Sequence, residues 1–347
     1  MIFNILLIGC VLVFQTTNAV SVAEESSAIA IAEGFFQSNN NEIPKAVRLI
    51  FHDCWESGCD ACIDTTSDGN SGLENIVNKL NGLMDPNWEM STADFYALSA
   101  VTALKIASGG TRPSPPPGPP GGQGPPPGGG GPPGGGGPPG GGHGRNLKRR
   151  PKREPVNDGR FMPTLILKYG RPTTCLEATR ELPNAHGDLD HVLDLFVDAG
   201  FSERQTVALI GGAHSLGGAS NGNSGFQGTW SNPRNTFNDG MLRVLVNAGW
   251  RQVRNRGTGN YQWRGGRSFM LNTDMAMAFE IAPDDTGLDT SSCRRSSRSS
   301  QCDPAATRSI VAEYLADTTV FMEEFSSAFQ FLMELGSDNL ETASATV

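Results

Sequence analysis

A mainly α-helical domain is what the residue pattern of this chain predicts, on three observations. Apolar residues recur at helical spacing in separate segments, as in Leu73, Ile76, Val77, Leu80 and Leu83. Helix starts and stops bracket those segments. Ser202-Glu203-Arg204-Gln205 is a capping box, and Gly109-Gly110 is a stop. Strands and helices do not alternate in the βαβ rhythm of a parallel sheet.

Residues 2–14 of the 347 form an apolar run too short to cross a bilayer comfortably, followed by Thr17-Asn18-Ala19 as a cleavage site. Residues 1–19 therefore read as a secretory signal and 20–347 as the domain. Helices are expected over 24–37, 43–56, 73–83 and 91–108, with 58–70 as a polar loop. Composition then breaks, because 29 of the 32 residues from 113 to 144 are Pro or Gly. Six basic residues follow within 145–153, including the dibasic-type Arg150-Pro151-Lys152-Arg153. Such a stretch cannot bury a core, so 111–155 reads as a disordered insertion inside the domain. Structure resumes at 161–169, with helices over 188–200, from the Ser202 cap to Ala213, and over 237–247. Short strands are expected around 252–264. Asp303-Pro304 reads as an N-cap and first helical residue, opening one or two helices that end near Leu335-Gly336.

A net charge of −9 and a pI near 5.1 argue against a general nucleic-acid binder. Without Cys10 in the signal, six cysteines remain, an even number that suits disulfides in a secreted chain, with fifteen arithmetical pairings. The favoured local pairs are Cys54–Cys59 and Cys293–Cys302, which leaves Cys62–Cys175. A zinc site is disfavoured, since Cys59-Asp60-Ala61-Cys62 has no second pair at matching spacing.

Chemistry concentrates in three places. In Val47-Arg48-Leu49-Ile50-Phe51-His52-Asp53-Cys54, Arg48 and His52 are four apart and leave one helix face, with Phe51 beside them. Alone, that face reads equally as a reactive surface or as a satisfied histidine beside a surface arginine. His214 ends the helix in Gly211-Gly212-Ala213-His214, where the lack of side-chain bulk suggests room for something large and flat. Alone, it reads as an ordinary core or capping histidine. Asp274 in Leu271-Asn272-Thr273-Asp274 could hold an imidazole's second nitrogen and so fix its tautomer.

These motifs, in this order, resemble the plant-type haem peroxidase superfamily over about residues 23–336, apart from the insertion. Arg48-x-x-Phe51-His52-Asp53-Cys54 resembles the distal motif, Ala208 to Ser215 the proximal one, and Asn272-Thr273-Asp274 the segment bearing the proximal aspartate. The likeness is mixed. Ala93 to Leu98, Gly225-Phe226-Gln227-Gly228-Thr229-Trp230 and Glu334-Leu335-Gly336 are similar to the ascorbate and cytochrome c peroxidases. Phe51 and the Cys54/Cys59 region are similar to the secreted plant class.

The resemblance implies a two-lobed helical fold with haem b between distal and proximal lobes, and a peroxidase acting on H₂O₂ with a small phenolic or other aromatic donor. It implies His52 as acid and base, Arg48 as charge stabiliser and Asn70 as the residue orienting His52. Phe51 would line the haem, His214 bind its iron, Asp274 partner His214, and Trp230 pack against His214. It also implies a distal Ca²⁺ on Asp53, the carbonyls of Glu56 and Gly58, and Asp60, although Cys62 stands where the family has a serine. A second cation would use Ser215, Ser231 and Asp239, with Asn238 at the family's aspartate position. A rival expectation is a structural protein of an extracellular, shell-type matrix on a peroxidase scaffold, as peroxidase-like proteins of molluscan shell resemble, with the Gly/Pro tract touching matrix partners.

Overall fold

The computed structural model describes residues 19–109, 165–172, 174–291, 293 and 302–344. Nearly all of the signal segment, the 111–155 insertion with its basic run, and residues 161–164 lie outside the described residues.

An N-terminal group of helices forms around α4 (Thr92–Ala107). Its sequence is almost wholly small or apolar, so Phe95, Leu98, Val101 and Leu104 are buried on every side. Ser91 caps it by accepting from the Asp94 amide at 3.0 Å. Packed against it are α1 (Val22–Ser38) and α2 (Ile43–Glu56), the latter opened by Pro44 in its first turn. The short α3 (Glu74–Asn81) buries Ile76 and Leu80, four apart.

After the insertion come α5 (Leu189–Asp198), α6 (Glu203–Ala213), α7 (Asn221–Ser224) and α8 (Gly240–Asn247). The Ser202–Gln205 capping box is formed as expected, with Ser202 Oγ accepting from the Gln205 amide and Gln205 Oε1 from the Ser202 amide. An antiparallel sheet of order β1–β2–β3 follows, built from Arg251–Arg254, Tyr261–Gly265 and Ser268–Met270. Then come α9 (Asn272–Ala276), α10 (Arg308–Ala316) and α11 (Thr318–Glu334). The phenylalanines of α11 at 321, 325 and 329 are buried four apart, and the helix packs on both α6 and α2. It joins the two groups of helices into the predicted two-lobed architecture. At its end, Gly336 meets Gly58 after α2 so closely that a Cβ on either would lie 3.0 Å from the other's Cα, and both have positive φ.

One boundary differs from expectation for a physical reason. Asp303-Pro304 does not cap a helix: Pro304 forms a bridge with Phe279, the Asp303 carbonyl accepts from the Glu280 amide, and α10 begins only at Arg308. The tertiary pairing takes the backbone groups that a helix start would have used.

Two devices hold the chain on the far side of the insertion. Three disulfides are formed, Cys54–Cys59, Cys62–Cys175 and Cys293–Cys302, and the second spans 113 residues. Closing so long a loop removes much freedom from the unfolded chain, about 4–5 kcal/mol in the chain-entropy account. The other device is a fully buried ion pair, Arg171 Nη1 to Asp94 Oδ1 at 2.8 Å, with side-chain exposures of 1% and 2%. Arg171 also donates from Nε and Nη2 to the Met333 carbonyl, while Asp94 accepts from the Gly170 and Arg171 amides. Arg171→Ala would leave Asp94 buried without its cation. A loss of about 3–5 kcal/mol in denaturant unfolding is expected.

Candidate active site

On α2, the i, i+4 spacing puts Arg48 and His52 in contact, with Arg48 Nε donating to His52 Nε2 at 3.2 Å. The rest of the guanidinium is held by the loop before α3, Nη1 by the Ser71 carbonyl at 3.0 Å and Nη2 by the Gly69 carbonyl at 2.7 Å. His52 Nδ1 lies 2.7 Å from Asn70 Oδ1. Asn70 Nδ2 donates to Glu56 Oε2 and to the Asp64 carbonyl, both at 3.1 Å, which turns its oxygen toward the imidazole. An amide oxygen can only accept and Arg48 Nε can only donate, so His52 carries its proton on Nδ1 and a lone pair on Nε2.

Burial, assisted by the neighbouring Arg48 charge, lowers the His52 pKa to about 3, against a smaller opposing effect of the Asn70 hydrogen bond. Burial likewise draws Arg48 below its ordinary value. Phe51 stands edge-on to His52 and stacks on Trp55, which packs on Phe196. Phe51 and Arg48 are only half-buried, while most of α2 around them is fully buried.

The second histidine is held from elsewhere. His214 terminates α6, and its Nδ1 lies 2.8 Å from Asp274 Oδ1. Asp274 is fully buried at 0% exposure, and its Oδ2 accepts from Trp230 Nε1 at 2.7 Å and from the Leu271 amide at 2.8 Å. Trp230 stacks on His214 with ring centroids 4.1 Å apart and planes 15° from parallel, and Phe269 backs Trp230 at 4.9 Å. An imidazole donating from Nδ1 to a carboxylate keeps its lone pair on Nε2. His214 is 31% exposed although its partner is sealed in, so Nε2 is the accessible end of the ring.

The two faces belong to elements in contact. Both α2 and α6 pack on α11 and touch each other, and the turn after α6 reaches the start of α2, where a Cβ on Gly217 would lie 2.8 Å from Pro44 Cβ. This donor set fits a haem. It offers an accessible imidazole nitrogen braced by a buried carboxylate, with half-buried Phe51 and Arg48 on the helix opposite the one that bears it.

The expectation that Gly211-Gly212 clears space for a flat group is not borne out. A Cβ on Gly211 would lie 2.8 Å from Leu242, and one on Gly212 would lie 2.3 Å from Phe325. These glycines let α6 press against α8 and α11. Glu56 has a role that residue types alone did not show. Its carboxylate fixes Asn70, and the visible signal was its position four residues after His52 on the same helix.

Among the described residues no group of three or more His, Cys, Asp and Glu could hold a metal ion, and the cation sites that the resemblance implies would rest on carbonyl, hydroxyl and carboxylate oxygens together. Asp60 accepts from the Cys62 amide with Oδ1 and from the Leu176 amide with Oδ2. The Glu56 carbonyl accepts from Thr179 and Arg180, and Cys62 is in a disulfide. Near Gly58 only Asp53 keeps both carboxyl oxygens out of hydrogen-bond geometry. Burial and the Asp60 charge push it up to about 8, although the Ala61 and Asp60 amides lie close enough to oppose the shift. On the other side, Ser215 Oγ donates to the Gly212 carbonyl, Ser231 Oγ donates to the Ser215 carbonyl, and Asp239 is paired with Arg243.

The sequence matches a family model described as "Peroxidase" over residues 29–123 and 153–281. Among curated proteins it is 33% identical over 180 residues to a protein of Candida albicans named as a heme-binding peroxidase, covering 50% of this chain and 53% of the relative. It is 34% identical over 161 residues to a similarly named protein of Pyricularia oryzae, covering 45% of each. It is 32% identical over 155 residues to a mitochondrial cytochrome c peroxidase of Emericella nidulans, covering 45% of this chain and 36% of the relative. The chain spans about half the length, or less, of these curated relatives. The family match takes in well over half of its residues, including Arg48, His52, His214 and Asp274, and the chain belongs to the peroxidase family.

Proposed function

We propose that the chain is a haem b peroxidase that reduces hydrogen peroxide and oxidises small phenolic or other aromatic donors outside the cell. One observation carries the reading: two histidines on touching elements both have Nδ1 tied to an acceptor and Nε2 left with its lone pair, one deeply buried and one accessible. The buried one suits proton transfer and the accessible one suits iron.

His214 would hold the iron through Nε2, with Asp274 making the imidazole more basic. Haem, when bound, supplies an iron to which peroxide can bind and from which it can draw electrons. His52 Nε2 would take a proton from one peroxide oxygen as Arg48 Nε yields the position, and would hand that proton to the other, which leaves as water. Arg48 stabilises the negative charge that grows on the departing oxygen. Asn70, fixed by Glu56, keeps the His52 Nε2 lone pair directed outward. The Trp230 ring, packed on His214 and bonded to Asp274, is placed to give up an electron. Three disulfides and the apolar N-terminal run support secretion. A matrix role would rest on the Gly/Pro tract, which lies outside the described residues.

The full chain loaded with haem tests this in a rapid-mixing spectrum with H₂O₂. The haem band should change on mixing, and His52→Leu should slow that change by about 10²–10⁴-fold while haem is retained. Because His52 is neutral well above its lowered pKa of about 3, the wild-type rate should stay level from neutral pH down to mildly acidic pH. It should fall only as His52 protonates. An unchanged rate in the variant would remove His52 from this role, and a wild-type rate that halves near the ordinary histidine pKa would contradict the lowering of its pKa by burial.

A further inference from the structure

The three-stranded sheet carries positive charge that the rest of the fold does not answer. Five arginines, 251, 254, 256, 264 and 267, fall within seventeen residues of a chain whose net charge is −9. The strand register sets Arg251 of β1 directly opposite Arg264 of β2. Opposed side chains in such a pair have Cβ atoms roughly 4.5–5.5 Å apart, and like charges there destabilise the pairing. None of the five is ion-paired with a carboxylate among the described residues, although Arg171, Arg204 and Arg243 all are. Arg251, Arg254, Arg256 and Arg267 are exposed, and Arg264 is half-buried.

Repulsion is tolerated because the sheet is pinned from elsewhere. Trp263 Nε1 donates to Asn272 Oδ1 at 2.8 Å, and Gln252 Nε2 donates to the Gly287 carbonyl at 2.8 Å. Gln262 Nε2 donates to the Gln227 carbonyl at 2.9 Å, and Asn255 Nδ2 donates to Asn221 Oδ1 at 2.6 Å. Arg254 Nε also donates to the Gly259 carbonyl at 3.0 Å across the β1–β2 turn, while no hydrogen bond to a side chain of the platform engages the other four arginines among the described residues.

We propose that this arginine-bearing sheet binds an acidic polysaccharide, through the sulfate or uronate groups along one glycan chain. Guanidinium forks match planar or tetrahedral oxyanions, and the cross-strand Arg251/Arg264 pair together with Arg256 and Arg267 on the adjoining turns gives a chain of such groups repeated contacts. A glycan is favoured over nucleic acid because the three disulfides fit an oxidising compartment, where acidic glycans are found. Docking there would leave the enzyme attached to a polyanion without using the residues of the proposed active site.

Calorimetric titration of the full chain tests it, with a heparin oligosaccharide and polygalacturonate as the sulfated and carboxylated probes, neutral dextran as the uncharged one, and duplex DNA as the competing polyanion. Binding to at least one acidic glycan is expected, with none to dextran. Arg251→Gln with Arg264→Gln should weaken it about tenfold or more and flatten its salt dependence. The same pair should raise the melting temperature without glycan, since opposed like charges are removed. Arg256→Gln with Arg267→Gln, on the two exposed turns of the sheet, should also weaken binding and guards against a folding defect in the first variant. Three outcomes would overturn the proposal: affinity unchanged in both hairpin variants, affinity lost only when the basic residues of 145–153 are neutralised, or DNA bound more tightly than either glycan.

Discussion

The carboxylate of Asp274 is the constraint on which the rest of the site depends. Three N–H groups from three parts of the chain converge on its two oxygens: the ring of His214 at the end of α6, the indole of Trp230, and the Leu271 amide at the start of α9. A carboxylate sealed at 0% exposure is costly unless such donors meet it. Its burial and the positions of those three segments are therefore one condition. That condition sets the tautomer of His214, the stacking of Trp230 and the direction of the free imidazole nitrogen. The sheet behind it fits the same logic, because Phe269 of β3 closes the far side of Trp230 and Asn272 of α9 takes the indole hydrogen of Trp263.

The opposite wall is built on a different principle. Its polar groups are aimed from one helix and one loop, with Arg48, His52 and Glu56 succeeding one another every four residues on α2 and Asn70 answering them from the loop. Desolvation keeps this histidine neutral, whereas a carboxylate braces the other. Two imidazoles in one protein are thereby given different chemistry by their surroundings alone. Arg48 is bound both to the His52 lone pair and to two loop carbonyls, so on this account it must yield part of that arrangement when peroxide enters.

Much of this was legible in the residues. Caps of the form Ser91 and Ser202-x-x-Gln205 mark helix starts because they satisfy orphan amides locally, and the i, i+4 pair Arg48/His52 needed only α2 to be a helix. The three disulfides agree with pairing by nearness and remainder. What was not legible depends on tertiary partners. Asp303-Pro304 has the local form of a cap, yet Phe279 and Glu280 take its backbone groups. Gly211 and Gly212 mean close packing rather than open space, which only the positions of Leu242 and Phe325 reveal. Asp60 has the charge of a cation ligand, but one of its oxygens also holds the Leu176 amide from 116 residues away, beside the local Cys62 amide on the other. In each case the residue type was read correctly and the competitor for its atoms lay far along the chain.

The central claim is that Asp274 makes His214 a strongly donating iron ligand. The most direct measurement is the reduction potential of the haem iron in the full chain, compared between wild type and Asp274→Asn. Replacing the carboxylate by an amide weakens the hold on the Nδ1 proton and makes the imidazole a poorer donor. The account predicts that the variant keeps haem and that its potential moves in the positive direction. A potential unchanged by the substitution, with haem still bound, would contradict it.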